Sequence, residues 1–259
     1  MGAWAEHEFG VKTLPPRAYL FAGTSGREKI DAAISAFGKV LLHRHDVYER
    51  YLVSGGDATV MFQLYGAPIL CDLVTVLKDG NVKEAVFLGY AFGIEEDLRI
   101  GDCVVPTQVQ ALDGVTSRLG AGAYCTPDAE LSTTIAEVLR QNHIPFRSGE
   151  SVSVPATFWH GDETQINPDV IALEMEFAAF CHCARIAGIK AAGLFVISDT
   201  KKQGLLNAGL PRDPSMLEAF RAIKVHWEHD RAHQPAPPYV ASRRWCAAAL
   251  GVKENGIDI

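Results

Sequence analysis

The chain has 259 residues, 48% of them hydrophobic and 21% charged, with a formal net charge of −7. That length is ample for one large core, and the acidic balance argues against nucleic acid as a partner while leaving room for a local anion pocket. No apolar run reaches the roughly 20 residues needed to cross a bilayer, and six cysteines scattered through apolar runs read as free thiols of a reducing compartment. With a polar, acidic stretch at Ala5–Glu8 in place of a signal peptide, a soluble cytoplasmic protein forming one domain over 1–259 is expected.

Arg17–Ala22 is a short apolar run closing at Gly23 and reads as a strand. Ile30, Ala33, Ile34 and Phe37 fall on one side of a helix over 27–37. His43-Arg44-His45-Asp46 reads as a polar edge, and Gly55-Gly56-Asp57 as a hairpin turn. Ala58–Leu64 and Glu84–Leu88 are strands flanking a helix from Ile69 to Leu77, and a further strand begins at Cys103. Ala129–Asn142 is an amphipathic helix with Leu131, Ile135, Val138 and Leu139 facing inward. Ser151–Thr157 alternates like a strand, and Pro168–Ala187 reads as one long helical stretch. Ala191–Ile197 is apolar and β-branched, the pattern of a buried strand. Beyond it come a helix over Met216–Trp227, a Pro-rich surface connection at Gln234–Pro238 and a capping segment at Trp245–Leu250. Strand and helix signals alternate throughout, which predicts an α/β fold: a three-layer α/β/α sandwich around a central mixed sheet.

The chemistry gathers at a few points. Ser198-Asp199 ends the buried strand, where open α/β sheets place their ligands. Asp199 there can protonate a leaving group such as a purine N7, while Glu176, at a helix start, can accept two hydrogen bonds from adjacent sugar hydroxyls. Met175 supplies a thioether for the apolar face of the sugar. Gly23-Thr24-Ser25-Gly26-Arg27 lies between strand and helix, with backbone N–H groups and a forked cation suited to phosphate. Phe158-Trp159 offers a stacking face for a base. Each piece also has an ordinary structural reading, as a cap, a turn or core filling.

Together these residues resemble the purine nucleoside phosphorylase/uridine phosphorylase superfamily, in particular its hexameric bacterial purine branch. Gly23 to Arg27 is similar to that branch's G-D-P-L-R loop. Met61, Gly66 and Pro68 fall within its M-G-x-G-x-G-x-P segment, with Phe62 and Leu64 replacing two glycines. Leu173-Glu174-Met175-Glu176 matches V-E-M-E, and Ser198-Asp199 matches the end of its V-S-D motif. The resemblance implies a nucleoside phosphorylase-like fold with no cofactor or metal. Inorganic phosphate would be the co-substrate, held by Gly23, Arg27 and Arg44. Asp199 and Arg212 would be catalytic; His7, Phe158, Met175, Glu176, Ser198 and Tyr90 would face the nucleoside. His7 would reach a neighbouring subunit's ribose 5′-hydroxyl, so a homodimer or a homohexamer (a trimer of dimers) is implied. Arg44 and Arg50 are the candidates for an arginine donated across the same interface.

One segment departs. Where the family reads R-V-G-S-C-G, this chain has Phe87-Leu88-Gly89-Tyr90-Ala91-Phe92-Gly93, losing a phosphate-binding Arg to Phe87 and a Ser to Tyr90. Losing one charge-assisted donor weakens phosphate binding by about 1.5–3 kcal/mol. The first loop nevertheless offers no acid before Glu28 to activate water. Phosphorolysis of a purine or modified nucleoside is therefore the expected activity, with hydrolysis or nucleoside binding without turnover as alternatives. Cys181-His182-Cys183 reads as buried thiols, since helix residues two apart face different ways and cannot close a tetrahedral site. The histidines His226, His229 and His233 read as a polar helix end, and Lys201-Lys202 as a solvated pair.

Overall fold

The computed structural model describes residues 2–22, 34, 39–45, 48–53, 58–156 and 163–202. In chain order these form α1 (Ala3–Phe9), β1 (Arg17–Ala22), β2 (Val40–His45), β3 (Glu49–Val53), β4 (Ala58–Leu64), α2 (Ala67–Asp79), β5 (Glu84–Gly93) and β6 (Cys103–Ala111). There follow the single-turn α3 (Val115–Arg118), β7 (Tyr124–Cys125), α4 (Ala129–Gln141), β8 (Phe146–Ser153), a 3-10 turn at Glu163–Gln165, β9 (Val170–Glu174), α5 (Phe177–Ala187) and β10 (Lys190–Thr200). The elements expected at 27–37, apart from a buried helical Ile34, lie outside the described residues, as do the turn at 55–57 and everything beyond 202.

β5 organises the sheet. One of its edges pairs in parallel with β10 along its whole length; the other pairs with β1 from Arg17↔Glu84 to Phe21↔Leu88. Past the end of β1, that second edge takes β9 instead, antiparallel, with Phe92 opposite Leu173. β9 pairs with β8, β8 with β6, and β6 returns antiparallel to β10 at Phe195↔Val104. Five strands thus close on themselves, while β1, β4, β3 and β2 extend the sheet outward to an edge at β2. The small β7 pairs with β6.

Alternation along β5 sends Ala85, Phe87 and Ala91 into the apolar cluster beneath α2 and α5, and Val86 and Leu88 into a second cluster with α4 and Ile34. Helices therefore cover both faces of a mixed sheet. α4 follows the expected pattern closely: Leu131, Ile135, Val138 and Leu139 are buried, and Asp128 Oδ1 caps it by accepting the Leu131 N–H at 2.9 Å.

Two expectations are corrected. The stretch Pro168–Ala187 is not one helix: Val170–Glu174 is a strand with Val170, Ala172 and Glu174 inward, and the helix begins only at Phe177. Its period-2 burial and its place between β8 and β5 outweigh the helical propensity of the Ala and Leu in it. The strand placed at Ser151–Thr157 runs earlier, from Phe146 to Ser153. The polar edge read at His43–His45 stands as such: these residues belong to β2, which pairs antiparallel with β3 at the rim of the sheet, while Asp46 lies outside the described residues.

Candidate active site

The strand-to-helix junction between β9 and α5 carries the first carboxylates. Glu176 occupies the N-cap position of α5, yet its side chain makes no cap hydrogen bond. That task falls to Glu174, whose Oε2 accepts the N–H groups of Glu176 (2.6 Å) and Phe177 (2.7 Å). The Ser153 hydroxyl, on the neighbouring strand β8, donates to Glu174 Oε1 and accepts the Ala178 N–H at 2.8 Å. Glu176 is thereby relieved of capping, and its Oε1 accepts the N–H of Gly66 at 2.7 Å. Gly66 has φ +86°, a backbone conformation that a side chain resists, and it directs this N–H across from the start of α2. Met175, half-buried between the two glutamates, packs on a small apolar cluster with Val152, Val154 and Val170.

Glu176 is only 4% exposed. Burial lifts both carboxyls above the ordinary range, and the charge of Glu176 pushes Glu174 further in the same direction. The donors from Ser153, Glu176 and Phe177 pull Glu174 back, as Gly66 does Glu176, without overcoming burial.

Ser198-Asp199 lies near the carboxyl end of β10, next to a register shift between Ile197 and Asp199. The Ser198 hydroxyl donates to Asp199 Oδ2 at 2.7 Å, and both residues are half-buried. Asp199 sits opposite Phe92 on one edge of β5, and Leu173, three residues before Glu176, sits opposite Phe92 on the other. The two stretches that carry the acidic residues therefore flank the same end of one strand, at the level where β1 has stopped. The chain leaves β1 at Ala22; Gly23 and Arg27, with Phe158 and Arg212, lie outside the described residues.

The sequence profile of the phosphorylase superfamily matches residues 32–215, well over half of the chain. The chain belongs to the phosphorylase superfamily. A curated relative, the guanosine phosphorylase of Halorubrum lacusprofundi, is 25% identical over 147 residues, spanning 55% of this chain and 61% of that protein, less than two thirds of its length. Among solved structures, purine nucleoside phosphorylase from Toxoplasma gondii in complex with immucillin-H superposes with a TM-score of 0.69 at 14% identity, over 85% of this chain and 93% of that one. A futalosine hydrolase mutant of Helicobacter pylori strain 26695 does so with a TM-score of 0.64 at 17% identity, over 83% and 99%. At these identities the solved structures establish the nucleoside phosphorylase fold. Phosphorylases and nucleosidases are both among its fold relatives.

Against that phosphorylase-superfamily background, Phe87 stands out as 0% exposed, its ring set among Phe177, Phe180 and Phe195 at centroid distances of 5.6, 5.8 and 6.0 Å. It belongs to the core beneath α5. Tyr90 faces the other side of β5, half-buried against the cluster beneath α4. His7 and Arg44 meet at the surface: Arg44 Nη1 donates to the His7 carbonyl at 2.6 Å, and the His7 side chain is 74% exposed. Arg50 is buried against Glu8 and lies 4.9 Å over the Tyr48 ring, bound up within its own subunit.

The discounted metal motif resolves into separate contacts. His182 is buried with Nε2 3.1 Å from the Leu119 carbonyl, Cys181 is buried, and Cys183 touches Cys71 on α2. Among the described residues no three His, Cys, Asp or Glu side chains are grouped to hold a metal, and no helix is long and apolar enough to cross a membrane. Lys201 and Lys202 are exposed, and Lys202 Nζ donates to the Glu96 carbonyl at 2.8 Å. Sequence reasoning missed Ser153 and the capping task of Glu174. An acidic residue just before a helix start is a usable signal, but here β9 runs almost directly into α5, so the sequence pattern does not mark where the helix starts.

Proposed function

We propose that this protein cleaves the N-glycosidic bond of a purine or modified nucleoside by phosphorolysis, releasing the free base and a sugar 1-phosphate. The observation that carries the reading is Glu176: a buried carboxylate relieved of helix capping, held by the Gly66 N–H, on a stretch flanking the same strand end as Asp199. Such a carboxylate suits two neighbouring pentose hydroxyls, with Met175 under the sugar. Asp199, hydrogen-bonded to Ser198, gives its proton to the purine N7 as the C1′–N bond breaks, and the bonding pair leaves with the base. A phosphate oxygen then bonds to C1′. Gly23 and Arg27 would hold that phosphate, Phe158 would stack on the base, and Arg212 would assist the proton transfer. Tyr90 would shape specificity from the neighbouring stretch of β5. His7 and Arg44, adjoining on one surface, would serve the site of a second subunit in a homodimer or homohexamer.

One observation favours a second reading, hydrolysis. Phe87 is sealed in the core at the position where the resemblance places a phosphate-binding arginine, which removes one anion contact. A nucleoside panel with and without phosphate, with products separated by chromatography, distinguishes the two. Sugar 1-phosphate formed only with phosphate is the expected result; free sugar formed without it would replace phosphorolysis by hydrolysis. In the same panel Asp199→Asn should lose on the order of 10²–10⁴-fold in turnover, and near-normal turnover would remove Asp199 as the acid.

A further inference from the structure

We propose that Ser153 is a positioning residue for the grip of Glu176 on the pentose, acting through Glu174; this rests on the nucleoside reading above. An N-cap side chain ordinarily folds back to accept the N–H groups of its own first turn. Glu176 does not: two of those N–H groups are already taken, that of Phe177 by Glu174 Oε2 and that of Ala178, a usual target of a cap, by the Ser153 hydroxyl, while Glu174 Oε2 also accepts the N–H of Glu176 itself. The same hydroxyl donates its proton to Glu174 Oε1, which fixes the plane of that carboxylate. Ser153 is 0% exposed, and it is paired with Glu174 in the parallel register of β8 and β9, so strand geometry sets the contact.

Removing the hydroxyl opens the Ala178 N–H in a buried place, where an unpaired donor is costly, and it releases Glu174 Oε1. The acceptors able to answer are Glu174 and Glu176, one residue either side of Met175. A Glu176 that turns inward to cap α5 gives up its contact with Gly66 and faces away from a ligand. Ser153 thus keeps the helix from competing with the substrate for Glu176.

The test compares kcat/KM for a ribonucleoside and for its 2′,3′-dideoxy counterpart. Wild-type protein should prefer the ribonucleoside, and Glu176→Ala should abolish that preference. Ser153→Ala should lower it roughly tenfold, the size of one hydrogen bond's net contribution, by slowing the ribonucleoside and sparing the dideoxynucleoside. Ser153→Thr, which keeps a hydroxyl, should restore most of it. Adding Ser153→Ala to Glu176→Ala should cost little more, since the two act on one contact. Where Ser153→Ala does not fold, the near-isosteric Ser153→Cys gives the same comparison. Equal losses on both substrates, or an unchanged preference while Glu176→Ala loses it, would overturn the role of Ser153 alone. Wild-type protein that cleaves neither substrate, or a Glu176→Ala variant that keeps the preference, would overturn the nucleoside reading beneath it.

Discussion

Glu174 and Glu176 show how one residue type divides its work by position. Glu174 caps a helix, and Glu176 turns its carboxylate to a glycine N–H from another element. The run Leu173–Glu176 was legible as a ligand motif in the sequence, and so was Asp199 at a strand end. Ser153 was not, because its partner lies 21 residues away and meets it only through strand register. Burying the two carboxyls side by side makes the folded chain retain protons that the unfolded chain has released. More protons bound in the folded state means that stability falls as pH rises from the ordinary carboxylate range toward neutrality. Urea denaturation should show this decline, with a slope of up to ~1.4 kcal/mol per pH unit for one retained proton, and Glu176→Gln should flatten it. Asp79, Asp97 and Glu130, held low by their hydrogen bonds to the α1 N-terminus, Arg147 and Lys190, titrate below that window. Stability climbing with pH across it would mean that both glutamates are ionised in the folded protein.

At the level of elements, α5 and β10 are locked by aromatic packing. Phe177, the first residue of α5, stands edge-on to Phe195 of β10 at 5.2 Å, and Gly193 of the same strand lies directly under its ring. A Cβ at Gly193 would fall 2.5 Å from Phe177 Cε2, closer than real contacts allow. Gly193→Ala should therefore cost about 1–3 kcal/mol of stability, measured by urea denaturation, and should lower activity because Phe177 adjoins Glu176. Full stability would show that the ring has room to move. The buried character of 191–197 was plain from its apolar, β-branched run, whereas β9 was hidden because five residues leading straight into a helix carry too few periods to separate strand from helix. Gly193 itself carried no signal, since its need arises from a ring contributed by another element.

For the molecule as a whole, strand–helix alternation disclosed the layered α/β architecture, but not the closure of β5, β10, β6, β8 and β9 into a ring. That closure depends on β5 exchanging β1 for β9 partway along its edge, a pairing between residues some eighty positions apart. It also explains why Glu176 and Asp199, on separate elements, flank one strand end. The meeting of His7 with Arg44 on the outer surface is equally hidden, since the two lie 37 residues apart in the chain. A crystal structure with a nucleoside analogue that resists cleavage would decide the matter. The Glu176 carboxylate should lie within about 3 Å of both pentose hydroxyls, with Asp199 facing the base in the same cleft. An analogue bound elsewhere, or the two carboxylates opening into different cavities, would contradict the proposed site.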